Sequence, residues 1–350
     1  MDSLQAAVCD GVDLGVPNAR WPDLGAWRRG GIRAQVFAIW IDTIYAPYHA
    51  ARRALQQVDA FHQLCERHPD LIELARTASD VRRIAKTGRL AGLLALEGGV
   101  SIQNDLALLR NFHRLGVSSM TLTHSNSIDW VDASTDAPRS NGLSEFGREV
   151  IAEMNRLGMV IDVSHTSDQA VRDVLAASAV PIVASHSNAK ALCDHPRNLP
   201  DELIRATAER GGVVGVNFYT AFVDISVWQA ILAQDGDLLK DLNSPPDIRP
   251  EDLDAEARKR LSMFFRGSID PPPLDRLIDH IVHLIDVAGP EHVGIGSDLG
   301  SPNIPLPLGI ATPEDFPKVT EAMSRRGISE GVVERILGLN FLRVWEGARG

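Results

Sequence analysis

Short apolar runs recur along the 350-residue chain, and this recurrence limits most strongly what the chain can fold into. Eight of them, several rich in Val and Ile, cover residues 6–13, 32–41, 91–97, 118–124, 159–165, 181–186, 212–218 and 292–298. Helix-like stretches lie between them, with apolar side chains at helical spacing in 102–115 and Ser144 as a candidate N-cap. This alternation predicts one (β/α)8 TIM-type barrel over residues 1–350, because an open doubly wound sheet usually has fewer strands and a glycine-rich nucleotide loop.

One long segment interrupts this alternation. Residues 221–272 follow the seventh apolar run and contain clusters of Asp, Pro and Gly. Loops of this length are often functional lids, although a surface excursion without a function would have the same composition. The sequence therefore predicts a long insertion after strand 7 and leaves both interpretations open.

Composition excludes several classes of partner. The 35 Lys and Arg against 46 Asp and Glu give a formal charge of −11, which repels nucleic acid. The three cysteines form no C-x-x-C pair and are odd in number, so neither a disulfide framework nor a cysteine zinc site is expected. The N-terminus lacks a signal-peptide pattern, and no apolar run has the length of a membrane span. These features favour a cytoplasmic protein that does not bind membranes.

Polar residues end six different apolar runs. They are Asp13, Glu97, His124, His165, His186 and Asp298. A single buried polar residue at a strand end is usually structural, since it can tie down a loop. Six at equivalent positions of a barrel point to its carboxyl-terminal face, which holds the active site in this fold.

The residue types at these positions indicate a metal site. Glu97, His165 and His186 offer one oxygen and two nitrogen ligands of the kind that bind Zn²⁺. Asp13 and Asp298 either complete a second metal position or carry protons. A metal that activates water makes hydrolysis the implied reaction class.

Several motifs resemble the renal (membrane) dipeptidase family, zinc-dependent peptidases of the amidohydrolase-like barrel group. They are Leu94-Ala-Leu-Glu97-Gly-Gly, Thr121-Leu-Thr-His124-Ser, Asp162-Val-Ser-His165, Ala184-Ser-His186-Ser, Arg197-Asn-Leu-Pro-Asp201, Glu153-Met-Asn-Arg-Leu-Gly158, Gly211-Gly-Val-Val-Gly-Val-Asn-Phe218 and Gly294-Ile-Gly-Ser-Asp298. Their order and spacing cover most of residues 90–300. The resemblance implies a barrel enzyme that acts on dipeptides, and a homodimer is common in such a family.

The resemblance also implies residue roles. Glu97 would bridge two zinc ions, with His165 and His186 holding the second of them. Asp298 would move a proton from the attacking water to the leaving amine, and His124 would stabilise the tetrahedral oxyanion. Arg197 would bind the terminal carboxylate of the substrate with its bidentate guanidinium. Without the resemblance, a structural arginine that caps a helix through Asp201 would be the better interpretation.

The chain departs from the family at the first predicted strand. The family has His-x-Asp there, whereas this chain has Cys9-Asp-Gly-Val-Asp13, so either Gly11 or Val12 stands at the histidine position. The first metal position then keeps only Asp13 and the Glu97 bridge. The sequence predicts one tightly bound zinc ion and a weak or absent second ion. The motif around Asp298 also lacks the family's second acidic residue.

Three functions remain open on this basis. The leading hypothesis is a metal-dependent hydrolase that cleaves the amide bond of a dipeptide or dipeptide-like substrate with a free carboxylate. A second is a mononuclear barrel enzyme with another reaction, such as lactam opening or a decarboxylase or lyase step. A third is a non-catalytic descendant that binds a metabolite or a protein partner, which retention of the site residues disfavours.

Overall fold

A curled parallel β-sheet forms the centre of the computed structural model, which describes residues 3–18, 21–46, 48–243, 248–263, 270–299 and 305–348. Its strands are β1 (Ala34–Trp40), β2 (Ile72–Leu74), β3 (Leu90–Glu97), β4 (Val117–Thr121), β5 (Val160–Asp162), β6 (Val183–Ala184), β7 (Val213–Val216) and β8 (Val293–Ile295). They run in the order β1-β3-β4-β5-β6-β7-β8, and all pairs are parallel. The short β2 lies off this path and pairs with the amino end of β3. Seven strands thus form the curl, and within the described residues β1 and β8 do not pair with each other.

Helices alternate with the strands, as the sequence pattern predicts. They are α1 (Ser3–Asp10), α2 (Leu24–Arg29), α3 (Ala50–Arg67), α4 (Ala78–Lys86), α5 (Leu106–Arg114), α6 (Glu145–Leu157), α7 (Asp168–Ala177), α8 (Asp201–Glu209), α9 (Thr220–Val223), α10 (Ile225–Asn243), α11 (Leu253–Met263), α12 (Leu274–Ala288), α13 (Phe316–Arg325), α14 (Glu330–Glu334) and α15 (Asn340–Gly347). Ser144 is the N-cap of α6, where its hydroxyl accepts a hydrogen bond from the Gly147 amide. Each helix that follows a strand returns the chain to the amino end of the sheet, so the carboxyl ends of the strands share one face.

The predicted strand at residues 6–13 is wrong, because residues Ser3–Asp10 form the helix α1. Helix α1 buries Leu4, Ala6 and Cys9 and packs against α3 and β1. The other seven predicted strands correspond to β1 and to β3 through β8. The sheet is therefore a curled sheet with seven barrel positions filled by strands, and the eighth expected strand is a helix.

The predicted insertion 221–272 lies between β7 and α12. Its described residues include α10 and α11 and part of α9, whereas residues 244–247 and 264–269 lie outside the described part of the chain. Arg260 of α11 forms a buried ion pair with Asp42, at 3.1 Å, just beyond the end of β1. Tyr45 also donates a hydrogen bond to Asp254 of α11, at 2.8 Å. Helix α11 is thus fixed near the carboxyl end of the sheet.

A continuous hydrophobic core surrounds the sheet. It extends from Leu4 in α1 to Ile336 near the carboxyl end of the chain. In α3, Ala54, Val58 and Phe61 lie on one buried face because they recur every three to four residues. This packing makes the strands a rigid support for the loops that follow them.

Candidate metal centre and active site

Three of the predicted metal ligands meet in one buried cluster. The Nε2 atoms of His165 and His186 are 2.9 Å apart, and they lie 3.4 Å and 3.3 Å from Glu97 Oε1. Glu97 ends β3, while His165 and His186 follow β5 and β6 by three and two residues. Their exposed fractions are only 6%, 7% and 9%. Charged and polar groups that are buried so deeply require a partner of opposite charge or a metal.

The spacing of these atoms fits a single metal ion. Two ligands that lie about 2.0–2.2 Å from a tetrahedral ion are about 3.3–3.6 Å from each other. The two distances to Glu97 match this tetrahedral edge, whereas the 2.9 Å between the imidazoles is slightly short. Glu97, His165 and His186 form the group of three potential ligands that the described residues bring together. A divalent cation would replace the close contact of the two imidazoles with two coordination bonds.

Backbone strain marks two residues at the carboxyl face. His165 has φ of 68° and Asp298 has φ of 56°, both in the left-handed region. Residues other than glycine enter this region rarely, and such conformations concentrate at functional sites. At His165, the Ser134 amide donates a hydrogen bond of 2.7 Å to the carbonyl oxygen and holds the loop. The fold thus stabilises a strained backbone that aims a metal ligand into the site.

A hydrogen-bonded relay behind His186 fixes which nitrogen faces the cluster. The Ser185 hydroxyl donates to Asp162 and lies 2.6 Å from His186 Nδ1. Since this hydroxyl gives its proton to Asp162, Nδ1 must carry the proton of the imidazole and donate it to Ser185. The lone pair of His186 then lies on Nε2, the atom that faces Glu97 and His165. Such outer contacts orient metal-binding histidines.

The protonation states of the three residues suit metal binding. Burial opposes ionisation of Glu97, but hydrogen bonds with His165 and His186 outweigh it and lower the pKa of the carboxyl. Burial lowers the pKa of His165, which is therefore neutral. Burial also lowers the pKa of His186, but the hydrogen bond with Glu97 and the charge of Asp298 outweigh burial and raise this pKa above its ordinary value. Since a metal ion binds the neutral imidazole, protons compete with the ion mainly at His186.

His124 lies beside the cluster. Its ring centroid is 4.2 Å from that of His165 and 5.7 Å from that of Trp40, the last residue of β1. Burial lowers the pKa of His124 to about 4, so the ring is neutral at pH 7. The Ser125 hydroxyl lies 3.0 Å from Nδ1. If that hydroxyl donates, Nε2 carries the proton and becomes a hydrogen-bond donor for the site.

Arg197 is buried next to the same cluster, with an exposed fraction of 5%. Its Nη2 donates to the carbonyl oxygen of His186 at 3.2 Å, and its guanidinium carbon lies 5.3 Å from the ring centroid of Phe222. Its Nε finds no hydrogen-bond partner among the described residues. Burial lowers the pKa of Arg197 to about 10, which still leaves it a cation at neutral pH. A buried cation with such a donor has the chemistry that would suit an anionic group.

Two asparagines hold Asp298. Asn217 Nδ2 donates to the carboxylate of Asp298 at 3.3 Å, and Asn188 Oδ1 accepts the backbone amide of Asn217 at 3.0 Å. Sequence reasoning assigned no role to either asparagine, nor to Asp162 and Ser185. All four lie inside or next to the motifs that carry the resemblance, and that position was the signal available in the sequence.

The structure does not bring Asp13 into the cluster. Its carboxylate lies 2.9 Å from His68 Nε2 and 3.2 Å from Arg67 Nη1, both at the end of α3. Strand β2 begins four residues after His68 and pairs with the amino end of β3, whereas Glu97 ends β3. Asp13 thus lies at the opposite end of the sheet. The expectation that it binds metal depended on a strand at 6–13, which is instead the helix α1.

A curled parallel sheet with a Glu-His-His cluster at the carboxyl ends of its strands is the arrangement of a barrel-type protein with a candidate metal site. The sequence profile of the membrane dipeptidase family, peptidase family M19, matches residues 14–349. The chain therefore belongs to the membrane dipeptidase family M19.

Two relatives and one solved structure agree with this assignment. The chain is 33% identical over 302 residues to dipeptidase verJ of Clonostachys rogersoniana, which covers 86% of this chain and 66% of verJ. It is 34% identical over 304 residues to dipeptidase tcpJ of Claviceps purpurea (strain 20.1), which covers 85% of this chain and 61% of tcpJ. The chain thus spans less than two thirds of the length of these relatives.

The solved structure is a metallopeptidase from Rhodobacter sphaeroides with a bound phosphinate mimic of the dipeptide L-Ala-D-Ala. It superimposes with a TM-score of 0.79 at 25% identity, over 99% of this chain and 97% of the other. Separately, none of the helices in the described residues combines the length and apolar character that crossing a membrane requires.

Proposed function

We propose that this protein hydrolyses the amide bond of a dipeptide, or of a dipeptide-like small molecule with a free carboxylate. The observation that carries the proposal is the Glu97, His165 and His186 cluster beside buried Arg197, whose Nε has no partner among the described residues. Metal ligands next to an anion-binding guanidinium fit a scissile amide close to a carboxylate. The dipeptide mimic bound to the Rhodobacter sphaeroides relative supports the same substrate class.

The three residues that surround the metal cluster each have a role in the proposed reaction. Arg197 binds the substrate carboxylate through two parallel hydrogen bonds. His124, neutral and with its proton on Nε2, donates a hydrogen bond to the oxygen that gains negative charge in the transition state. Asp298 accepts the proton of the attacking water and passes it to the leaving amine, held in place by Asn217.

We further propose that the cofactor is one zinc ion, held by Glu97, His165 and His186. Two imidazoles and one carboxylate are a ligand set that zinc enzymes use, with a further position open for water or substrate. A bound zinc ion polarises a carbonyl oxygen and lowers the pKa of water. A second ion is expected to bind weakly or not at all, because Asp13 is held by His68 and Arg67 at the other end of the sheet.

Elemental analysis tests the stoichiometry. Protein that has been dialysed extensively should retain about one zinc per chain, and Glu97→Gln should lose it. Two ions per chain after dialysis would show that another residue replaces the missing histidine, and the one-ion proposal would fail.

A substrate panel tests the reaction. Zinc-loaded protein should cleave dipeptides with a free carboxylate and should cleave their C-terminal amides poorly. Arg197→Lys should raise KM for the carboxylate substrates, because an ammonium cannot reproduce a bidentate contact. Arg205→Lys on the exposed face of α8 is the matched control and should leave KM unchanged.

The panel also separates the other two functions. Bound zinc without cleavage of any dipeptide would favour a mononuclear enzyme with another reaction, which the three-ligand cluster also permits. Absence of both metal and hydrolysis would favour a non-catalytic binding protein.

We also propose that residues 1–350 act as one barrel-like domain and that segment 221–272 is a lid over the carboxyl ends of the strands, where the metal cluster lies. Support for one domain comes from the hydrophobic core, which joins Leu4 to Ile336. Support for the lid comes from the buried Arg260–Asp42 ion pair, which fixes α11 beyond the end of β1. Deletion of α11 should then raise KM for dipeptides without removing zinc.

A further inference from the structure

His195 has an arrangement of hydrogen bonds that none of the steps above uses. Its exposed fraction is 2%, and its Nδ1 accepts a hydrogen bond of 3.0 Å from the backbone amide of Arg197. An acceptor at Nδ1 requires that the ring proton lie on Nε2. That buried Nε2 has no hydrogen-bond partner among the described residues. A buried donor without a partner destabilises the folded state, so a residue kept in this state needs a reason.

The ring of His195 also belongs to an aromatic group that reaches the guanidinium of Arg197. Its centroid lies 4.6 Å from that of Phe222 and 4.5 Å from that of Trp228. Phe222 in turn lies 5.3 Å from the guanidinium carbon of Arg197. His195 therefore binds the backbone amide of Arg197 directly, and it packs against Phe222, which contacts the guanidinium of Arg197.

The backbone on both sides of this group is fixed by Asn198. Its Nδ2 donates to the carbonyl oxygens of Cys193 at 2.8 Å and of Phe222 at 2.9 Å. The backbone amide of Asn198 donates to the carbonyl oxygen of His195 at 3.0 Å. The loop that carries Arg197 is thus a closed turn, and His195 Nδ1 accepts one of the hydrogen bonds within it.

We propose that His195 is a positioning residue, which sets the backbone and the guanidinium plane of Arg197 so that the substrate carboxylate is bound by two hydrogen bonds. The inference rests on the proposed function and extends it to the origin of carboxylate specificity. A bidentate contact requires alignment of two planes, and small displacements of such a group weaken it strongly. Burial lowers the pKa of His195 to about 3, so the ring stays a neutral acceptor at the pH of an assay.

Two substitutions separate the two contacts of the ring. His195→Phe keeps an aromatic ring against Phe222 but has no acceptor for the Arg197 amide. His195→Asn loses the ring but can place Oδ1 near the position of Nδ1. His283→Phe on α12 is the control, because His283 contacts Asp201 at 2.8 Å and not the turn.

The kinetic test compares a dipeptide with its C-terminal amide. His195→Phe should raise KM for the dipeptide on the order of tenfold to a hundredfold, with kcat, bound zinc and KM for the amide little changed. His195→Asn should restore most of the KM. In an Arg197→Lys background, His195→Phe should have little further effect. An equal rise in KM for both substrates, or no change for either, would refute the positioning role.

Hydrogen exchange of the Arg197 amide supplies a readout that needs no activity. The amide should exchange on the order of a hundredfold faster in His195→Phe than in the wild type, and His195→Asn should keep most of the protection. Equal exchange in all three proteins would overturn the inference even if dipeptides are cleaved. A wild type that cleaves no dipeptide would instead refute the proposed function, and the exchange comparison would still decide whether His195 positions Arg197.

Discussion

Substitution of Ser185 by alanine tests whether the outer contacts of the cluster control metal affinity. The Ser185 hydroxyl lies between Asp162 and His186 Nδ1, at 2.6 Å from the latter. Without it, the imidazole loses the acceptor that keeps its proton on Nδ1. Loss of such an outer contact typically weakens metal binding about 10-fold to 100-fold. This corresponds to about 1.4–2.7 kcal/mol of binding free energy.

This loss of binding free energy can be converted into a change of the melting temperature, Tm. Unfolding entropy is about 2.1 cal/mol/K per residue, so a chain of 350 residues changes its stability by about 0.7 kcal/mol per degree near Tm. Metal bound to the native state raises Tm according to its affinity and free concentration. The rise that zinc produces should therefore be about 2–4 °C smaller in Ser185→Ala than in the wild type.

Calorimetric scans at one buffered zinc concentration, with and without the metal, measure this difference. Ser178→Ala is the matched control, because Ser178 is also buried and hydrogen-bonded, to Val180 at 2.8 Å, but caps α7 away from the cluster. It should lower both melting temperatures equally and leave the zinc-dependent rise unchanged. An undiminished rise in Ser185→Ala would refute the reasoning that the relay orients His186.

Three further predictions concern groups outside the cluster. Asp13→Asn should leave the zinc content of dialysed protein unchanged, because Asp13 contacts His68 at the other end of the sheet; loss of zinc in elemental analysis would contradict this. Burial lowers the pKa of His280 from 6.5 to about 4, so the unfolded chain takes up the proton first and the free energy of unfolding falls as pH drops from 6.5 to 4. In urea unfolding of zinc-free protein, His280→Gln should remove up to about 3 kcal/mol of that loss. An equally steep loss in the variant would refute this prediction. Arg260→Met should lower the free energy of unfolding by about 3–5 kcal/mol in the same urea assay, because buried Asp42 loses its counter-ion. The double variant Arg260→Met, Asp42→Asn should recover part of this loss, and no recovery would argue against the ion pair.

Much of the fold was predictable because the strands are buried on both faces. Seven of the eight predicted strands correspond to observed ones, since continuous apolar runs such as Leu90–Glu97 are typical of parallel strands covered by helices. The predicted strands were too long at their carboxyl ends, where His165 and His186 lie in loops. Apolar periodicity cannot distinguish the last residue of a strand from a buried loop residue that holds a ligand.

The prediction failed at the first strand for a physical reason. Residues Ser3–Asp10 contain Leu, Gln and Ala, which favour helix, and a short apolar run does not discriminate between a buried helix and a strand. The metal role expected of Asp13 assumed this strand, whereas its carboxylate lies beside His68. The residues around the ligands, such as Asp162 and Asn217, could not be assigned from sequence because their role depends on contacts between different strands.

Among the described residues no strand joins β1 to β8, and this gap affects the residues of the site unequally. The candidate metal ligands lie at the end of β3 or just after β5 and β6, and each of these strands has strand neighbours on both sides. Asp298 instead follows β8, and Trp40 ends β1, the two strands that border the gap. Relative movement of β1 and β8 would shift Asp298, the proposed proton carrier, and Trp40, which contacts His124. The metal ligands would keep their positions relative to one another. Fusions or truncations near α1 should therefore slow turnover before they release the metal, which makes the N-terminal region a place to tune the rate of this protein.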